Sequence, residues 1–172
     1  MKKISMRVVS LTVVITIGLL VGCKSKGLDN NLENEIKDTS KIDLIELSEY
    51  KNTDIKDSKT IEIILDKLLA NIYVRKFNYE NKYGDYILNI KYSLANDWDE
   101  KDKFKLMNYN SVVLFSLIKN LSTINYILED FDNTVYQFNK NAYDKTYNVD
   151  LSELPNDLQK WKYVLEEVCQ TK

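Results

Sequence analysis

The sequence predicts one small α+β domain, with helices packed on an antiparallel sheet of about four strands in the order helix, hairpin, helix, hairpin, helix. Three observations predict it. Ile61, Ile64, Leu65 and Leu68 recur at i, i+3, i+4 and i+7, which is one apolar face of a helix. Tyr86, Leu88, Ile90 and Tyr92 alternate with Asn89 and Lys91, the period of a strand. Asn81-Lys82-Tyr83-Gly84-Asp85 and Asp130-Phe131-Asp132-Asn133 set turn residues between apolar runs, the pattern of two hairpins. Hairpins imply antiparallel pairing, and the helices joining them are expected to cover the sheet.

In chain order, residues 23–43 are rich in Asn, Lys, Asp, Glu and Ser, and bury too little apolar surface to order themselves. They read as a tether of about 25 Å root-mean-square span. The domain is expected over residues 44–170, beginning near Ile45, with Leu47 to Ile55 irregular or briefly extended. Asp57 or Ser58 caps the first helix, because a short side-chain oxygen accepts from the free N–H groups of a first turn. Ile72 to Glu80 and Tyr86 to Tyr92 form the first hairpin. A polar loop, Asn96 to Lys105, leads to a helix capped by Asn108 or Asn110. The run Val112 to Ile118 is apolar nearly all round, which suits a helix between the sheet and a further layer. Ile124, Tyr126 and Leu128 with Val135 to Phe138 make the second hairpin. After a short turn or helix near Ala142 to Tyr147, Pro155 marks the first turn of a last helix. Leu158, Trp161, Leu165 and Val168 form its buried stripe.

The N-terminus reads differently. Lys2, Lys3 and Arg7 precede an apolar run from Val8 to Leu19, and Leu20-Val21-Gly22-Cys23 closes it. The run is shorter than the roughly 20 apolar residues of a spanning helix, and Lys24 and Lys26 follow at once. The pattern resembles bacterial lipoprotein signals. That resemblance implies a signal peptide over residues 1–22, cleavage before Cys23 and diacylation of its sulfur. Two acyl chains at about 0.8 kcal/mol per buried CH₂ hold a protein on a membrane stably, whereas one does not. The expected location is the extracytoplasmic face of the cell membrane.

Removing residues 1–22 leaves 21 basic and 26 acidic side chains, a net charge of −5. Such a chain lacks the basic face that nucleic acid requires. There is no histidine, which excludes Ser–His and Cys–His nucleophile pairs and the usual His-based zinc sites. With Cys23 committed to the anchor, Cys169 has no intramolecular disulfide partner, and its place beside Leu165 and Val168 reads as a small near-core residue. Asp97, Asp99, Glu100 and Asp102 surround Trp98. They fail the EF-hand pattern, since Asp102 and Asn108 stand where its Gly and Glu belong. A solvated loop is the plain reading, with Asp97, Trp98 and Asp99 as a candidate contact loop because exposed loop aromatics favour interfaces. Neither a metal nor a cofactor is expected.

Tyr50-Lys51 before Asp57, Tyr83-Gly84 before a strand, and Leu114-Phe115-Ser116-Leu117-Ile118-Lys119-Asn120-Leu121 resemble the family catalogued as domain of unknown function 4825. The resemblance spans about Leu47 to Val168 and departs from the family at Lys56-Asp57-Ser58-Lys59, where Gly-Asp-Asn-Ser is frequent. It implies occurrence in bacterial lipoproteins and beside membrane metallopeptidases, and no known activity. The leading functional expectation is a non-enzymatic binding or sensing module for an envelope protein or ligand. The alternative is an inhibitor or immunity lipoprotein acting on an envelope-attacking enzyme. A carboxylate hydrolase of cell-wall glycan would need an acid pair in a cleft, and no strong pair stands out.

Overall fold

The computed structural model describes residues 42–94, 98–129 and 133–170, so Leu20, Val21, Gly22, Cys23 and Asp97 lie outside the described residues. The chain begins with a short helix, α1 (Leu44–Ser48), where an irregular stretch was expected from Leu47 onward. Asp43 caps it, accepting from the N–H groups of Ile45 and Glu46 at 3.0 Å each. Helix α2 (Ser58–Asp66) follows, capped by Asp57 and burying Ile61, Ile64 and Leu65.

Strands β1 (Val74–Lys82) and β2 (Asp85–Tyr92) pair antiparallel. Tyr83 and Gly84 both take positive φ, +56° and +98°, as a two-residue hairpin turn of type I′ demands. Asn81 Oδ1 accepts from the Gly84 N–H at 3.1 Å and holds the turn.

Helix α3 (Glu100–Leu117) starts earlier than the sequence suggested and is capped by Asp99, not by Asn108 or Asn110. Glu100 to Lys105, expected as part of a polar loop, form its first turns. Asp99 accepts from the Asp102 N–H at 2.7 Å, and Glu100 and Asp102 lie at the positive end of the helix dipole. Every residue from Leu106 to Leu117 is buried, as expected for a helix between two layers.

Strands β3 (Leu121–Leu128) and β4 (Val135–Asn139) form the second antiparallel hairpin. The sheet order is β1-β2-β3-β4, but β2 and β3 are parallel. The sheet is therefore mixed, not antiparallel throughout. The physical reason is a length match. Eighteen helical residues return the chain by about 27 Å at 1.5 Å each, and an eight-residue strand spans about 26 Å at 3.3 Å each. Helix α3 thus carries the chain back to where β2 began, and β3 restarts in the same direction.

Helix α4 (Lys140–Tyr147) and a 3₁₀ segment (Leu151–Asn156) precede α5 (Leu158–Gln170). Pro155 sits inside the 3₁₀ segment and not in α5, whose first turn is held by Asp157 Oδ1 accepting from the Lys160 N–H at 3.0 Å. The core has two seams. Leu88, Ile90, Tyr92, Ile124, Tyr126 and Phe138 face one side of α3, and α5 with the 3₁₀ segment packs on the other. No described helix is long and apolar enough to cross a membrane.

Two of the segments that carry the family resemblance meet in space. Thr53 bridges Ile118 in parallel, with Thr53 N–H donating to the Leu117 carbonyl and Lys119 N–H to that of Thr53. Asn120 Oδ1 accepts from the Ile55 N–H at 3.0 Å, and its Nδ2 donates to Asp54 at 3.3 Å. These residues clamp the start of the domain onto the α3–β3 junction. Asn120→Ala should lower stability by about 1–2 kcal/mol, read from the urea midpoint, because the Ile55 N–H loses its partner.

Candidate functional site

A concave surface lies between α1, the middle of α3 and α5. It is a groove of about 760 Å³, within the 300–1,000 Å³ range of ligand pockets. Leu47 is buried and pins α1, which leaves Ile42 and Leu44 half-buried and Ile45 67 % exposed along the groove edge. Glu46 accepts a 2.6 Å ion pair from Lys67 and fixes the other side of α1 to α2. Tyr109 from α3 and Leu158 and Leu165 from α5 form the floor and far wall. The rim charges balance: Lys105 and Lys162 face Asp43 and Glu166. The site offers apolar contact with a neutral rim.

Its thiol and its phenol stay protonated at neutral pH. Burial pushes the Cys169 thiol up, Lys105 opposing weakly and Glu166 adding to the rise. Burial also raises the Tyr109 phenol well above its ordinary value, helped by the neighbouring cysteine. A protonated thiol is a poor nucleophile. Among the described residues, no three of His, Cys, Asp and Glu gather where they could hold a metal ion. The apolar lining and the charge-balanced rim suit the groove to contact by shape and apolar burial.

The residues singled out from the sequence fall elsewhere. Trp98 is 2 % exposed and packs edge-on to Tyr73 with centroids 5.9 Å apart. Asp99 is occupied as the α3 cap. Trp98 thus presents its ring to the core, and the acidic cluster reads as a helix N-terminus. Trp161 is also buried, so both tryptophans should resist acrylamide quenching in the native protein and yield to it in urea. Cys169 is half-buried, against the core at one end of the groove.

Sequence reasoning missed the groove because α1 is too short to show a helical period. One signal was present: Asp43 followed three residues later by Glu46, a capping-box pattern ahead of Leu47.

The family model described as "Domain of unknown function (DUF4825)" matches residues 47–143, more than half of the chain. The match runs from α1 through the sheet to Tyr143 and ends short of Val168, the limit the resemblance suggested. No curated protein and no solved structure matches.

Proposed function

We propose a function from this premise: the chain belongs to the DUF4825 family, whose description names no activity. It is a non-enzymatic binding or sensing module, held at the extracytoplasmic face of the cell membrane by lipid on Cys23. Its groove takes an apolar segment of an envelope protein. The observation that carries this reading is the groove itself, an apolar cleft with a neutral rim and Ile45 standing 67 % exposed beside it. Its position supports the same reading. Ile42 lines the groove and stands 19 residues after Cys23 in the sequence, which puts the groove at the end of the domain nearer the proposed anchor.

In-cell cross-linking of the tagged full-length chain, read by mass spectrometry, tests it. One dominant envelope protein is expected, lost in Cys23→Ala and in Ile45→Lys. Equal recovery of that partner with Ile45→Lys would remove the groove from the interaction. Incorporation of labelled palmitate by Cys23→Ala would remove the anchor.

A further inference from the structure

Strand β1 is an outer edge of the sheet, and among the described residues no strand pairs with its free side. The direction of its unused backbone groups follows from β2. Glu129 N–H and Ser122 Oγ donate to the carbonyls of Tyr92 and Tyr86, so the even-numbered residues of β2 turn their backbone toward β3. The odd-numbered ones therefore bond β1, and the β1 residues opposite Ile90, Leu88 and Tyr86 are left over. Phe77, Tyr79 and Asn81 thus point their N–H and C=O groups out of the sheet. Every residue from Asn78 to Lys82 is exposed, and Ile72 and Tyr83 beside the strand add exposed apolar surface at the same edge.

Such an edge is a template for another strand, and lysines on it ordinarily turn partners away. Lys76 and Lys82 do so unless the incoming strand sets an acid against them. A second copy of β1, run antiparallel, does this in one register. With Asn78 opposite Asn78 of the copy, Lys76 faces Glu80 and Glu80 faces Lys76. On the other side of the sheet, half-buried Phe77 faces Tyr79, 38 % exposed, and Tyr79 faces Phe77. Opposite charges and aromatic rings are favourable cross-strand pairs. The outward backbone groups of Phe77 and Tyr79 also meet residue for residue. Moving the centre to Tyr79 would set Lys76 against Lys82, and moving it to Phe77 would leave Lys76 against Asn78. Glu80 already pairs with Lys82 of its own strand at 3.2 Å, and its carboxylate has room for a second cation.

We propose that β1 is a homodimerisation edge: two copies of the chain pair β1 to β1, antiparallel, about a two-fold axis at Asn78, and join their sheets into one. The interface is isologous, so the Lys76–Glu80 and Phe77–Tyr79 contacts are each made twice. Like charges reject the register centred on Tyr79, and opposite charges select the one centred on Asn78. A single strand edge is a small interface, so the dimer is reversible and depends on concentration. The edge is separate from the groove between α1 and α5, and the proposal does not rest on what that groove binds.

Disulfide trapping of the full chain in cells tests this. Asn78 is its own neighbour across the axis, at a non-hydrogen-bonded pair whose Cα atoms stand about 4.5 Å apart, within reach of a disulfide. Asn78→Cys should give a covalent dimer on a non-reducing gel after mild oxidation, against the background set by the parent chain with its half-buried Cys169. Glu80→Cys should give little, because its two copies lie four residues apart, about 14 Å. Added to Asn78→Cys, Lys76→Glu should lower the dimer yield about fivefold or more. Lys76 is exposed, so that change spares the fold, and adding Glu80→Lys should restore the yield. No dimer from Asn78→Cys, equal dimer from Glu80→Cys, or no recovery on the charge swap each overturns the proposal. Capture of a different protein by Asn78→Cys overturns it in favour of an unlike partner.

Discussion

Trp161→Ala should cost about 3–5 kcal/mol of stability, a large part of the 5–15 kcal/mol that holds a domain of this size together. Trp161 is fully buried on α5, the helix that closes the second seam of the core against α3 and the 3₁₀ segment. Its backbone N–H is bonded to Asp157 in the first turn, so the ring is held where the chain can least relax into the space left behind. A poorly collapsing site keeps the cavity and its full penalty. The measurement is the urea midpoint at constant m-value. Tyr163→Ala is the control: on the same helix but 60 % exposed, it should shift stability by no more than about 0.5 kcal/mol. Because α5 also walls the groove, Trp161→Ala should reduce partner capture in proportion to the unfolded fraction, whereas Ile45→Lys should reduce it with the fold intact.

A second large effect is expected on raising the pH. Tyr92 and Tyr126 face each other across β2 and β3, with centroids 5.8 Å apart, and both are sealed from water. Burial raises both phenols above the ordinary value of 10; Asn110 beside Tyr92 and Ser111 beside Tyr126 offset only part of that rise. Tyr109 and Tyr143 are raised by burial as well. The sign follows from linkage. A folded-state pKa above the unfolded one means the native protein holds its proton more tightly. The contribution is therefore complete below pH 10 and lost as the pH climbs beyond it. One pH unit above the unfolded pKa costs about 1.4 kcal/mol per buried phenol, so Tyr92 and Tyr126 together cost about 3 kcal/mol at pH 11. Thermal unfolding followed from pH 8 to 11 should show a flat region and then a steep fall. Tyr126→Phe separates this from general alkaline damage. It lowers stability at pH 8, because Ser111 Oγ loses the partner it holds at 3.2 Å, yet it flattens the fall above pH 10.

The polar groups on α3 show where pattern reading meets its limit. Asn108 and Asn110 resemble caps in the sequence because such residues are favoured at helix starts. In the fold they are interior groups with distant partners. Asn110 Nδ2 donates to the Leu69 carbonyl at 3.0 Å, and Asn108 Oδ1 accepts from the Tyr143 hydroxyl. Those partners lie 41 and 35 residues away, and no local window contains them. Ser116 instead donates to the Val112 carbonyl one turn back at 2.7 Å, which a local reading can anticipate. The acidic run after Trp98 was misread in the opposite direction. It is a purely local helix-start signal, Asp99 with Glu100 and Asp102 in the first turn, that looks like a loop when each acid is weighed alone.

The sequence by itself determined what depends on neighbours along the chain. The face of α2, the alternation of β2 and β3, the Tyr83-Gly84 turn and the apolar centre of α3 are all periodic or steric properties of short segments. The tertiary structure alone decided what depends on where separate segments meet. It set β3 parallel to β2 through the length of α3, and turned Trp98 inward onto Tyr73. It also opened the groove between α1 and α5, and hydrogen-bonded the carboxamides of Asn89, Asn125 and Gln137 across three strands. Register, crossing and concavity are relations between elements, so no single stretch of residues encodes them.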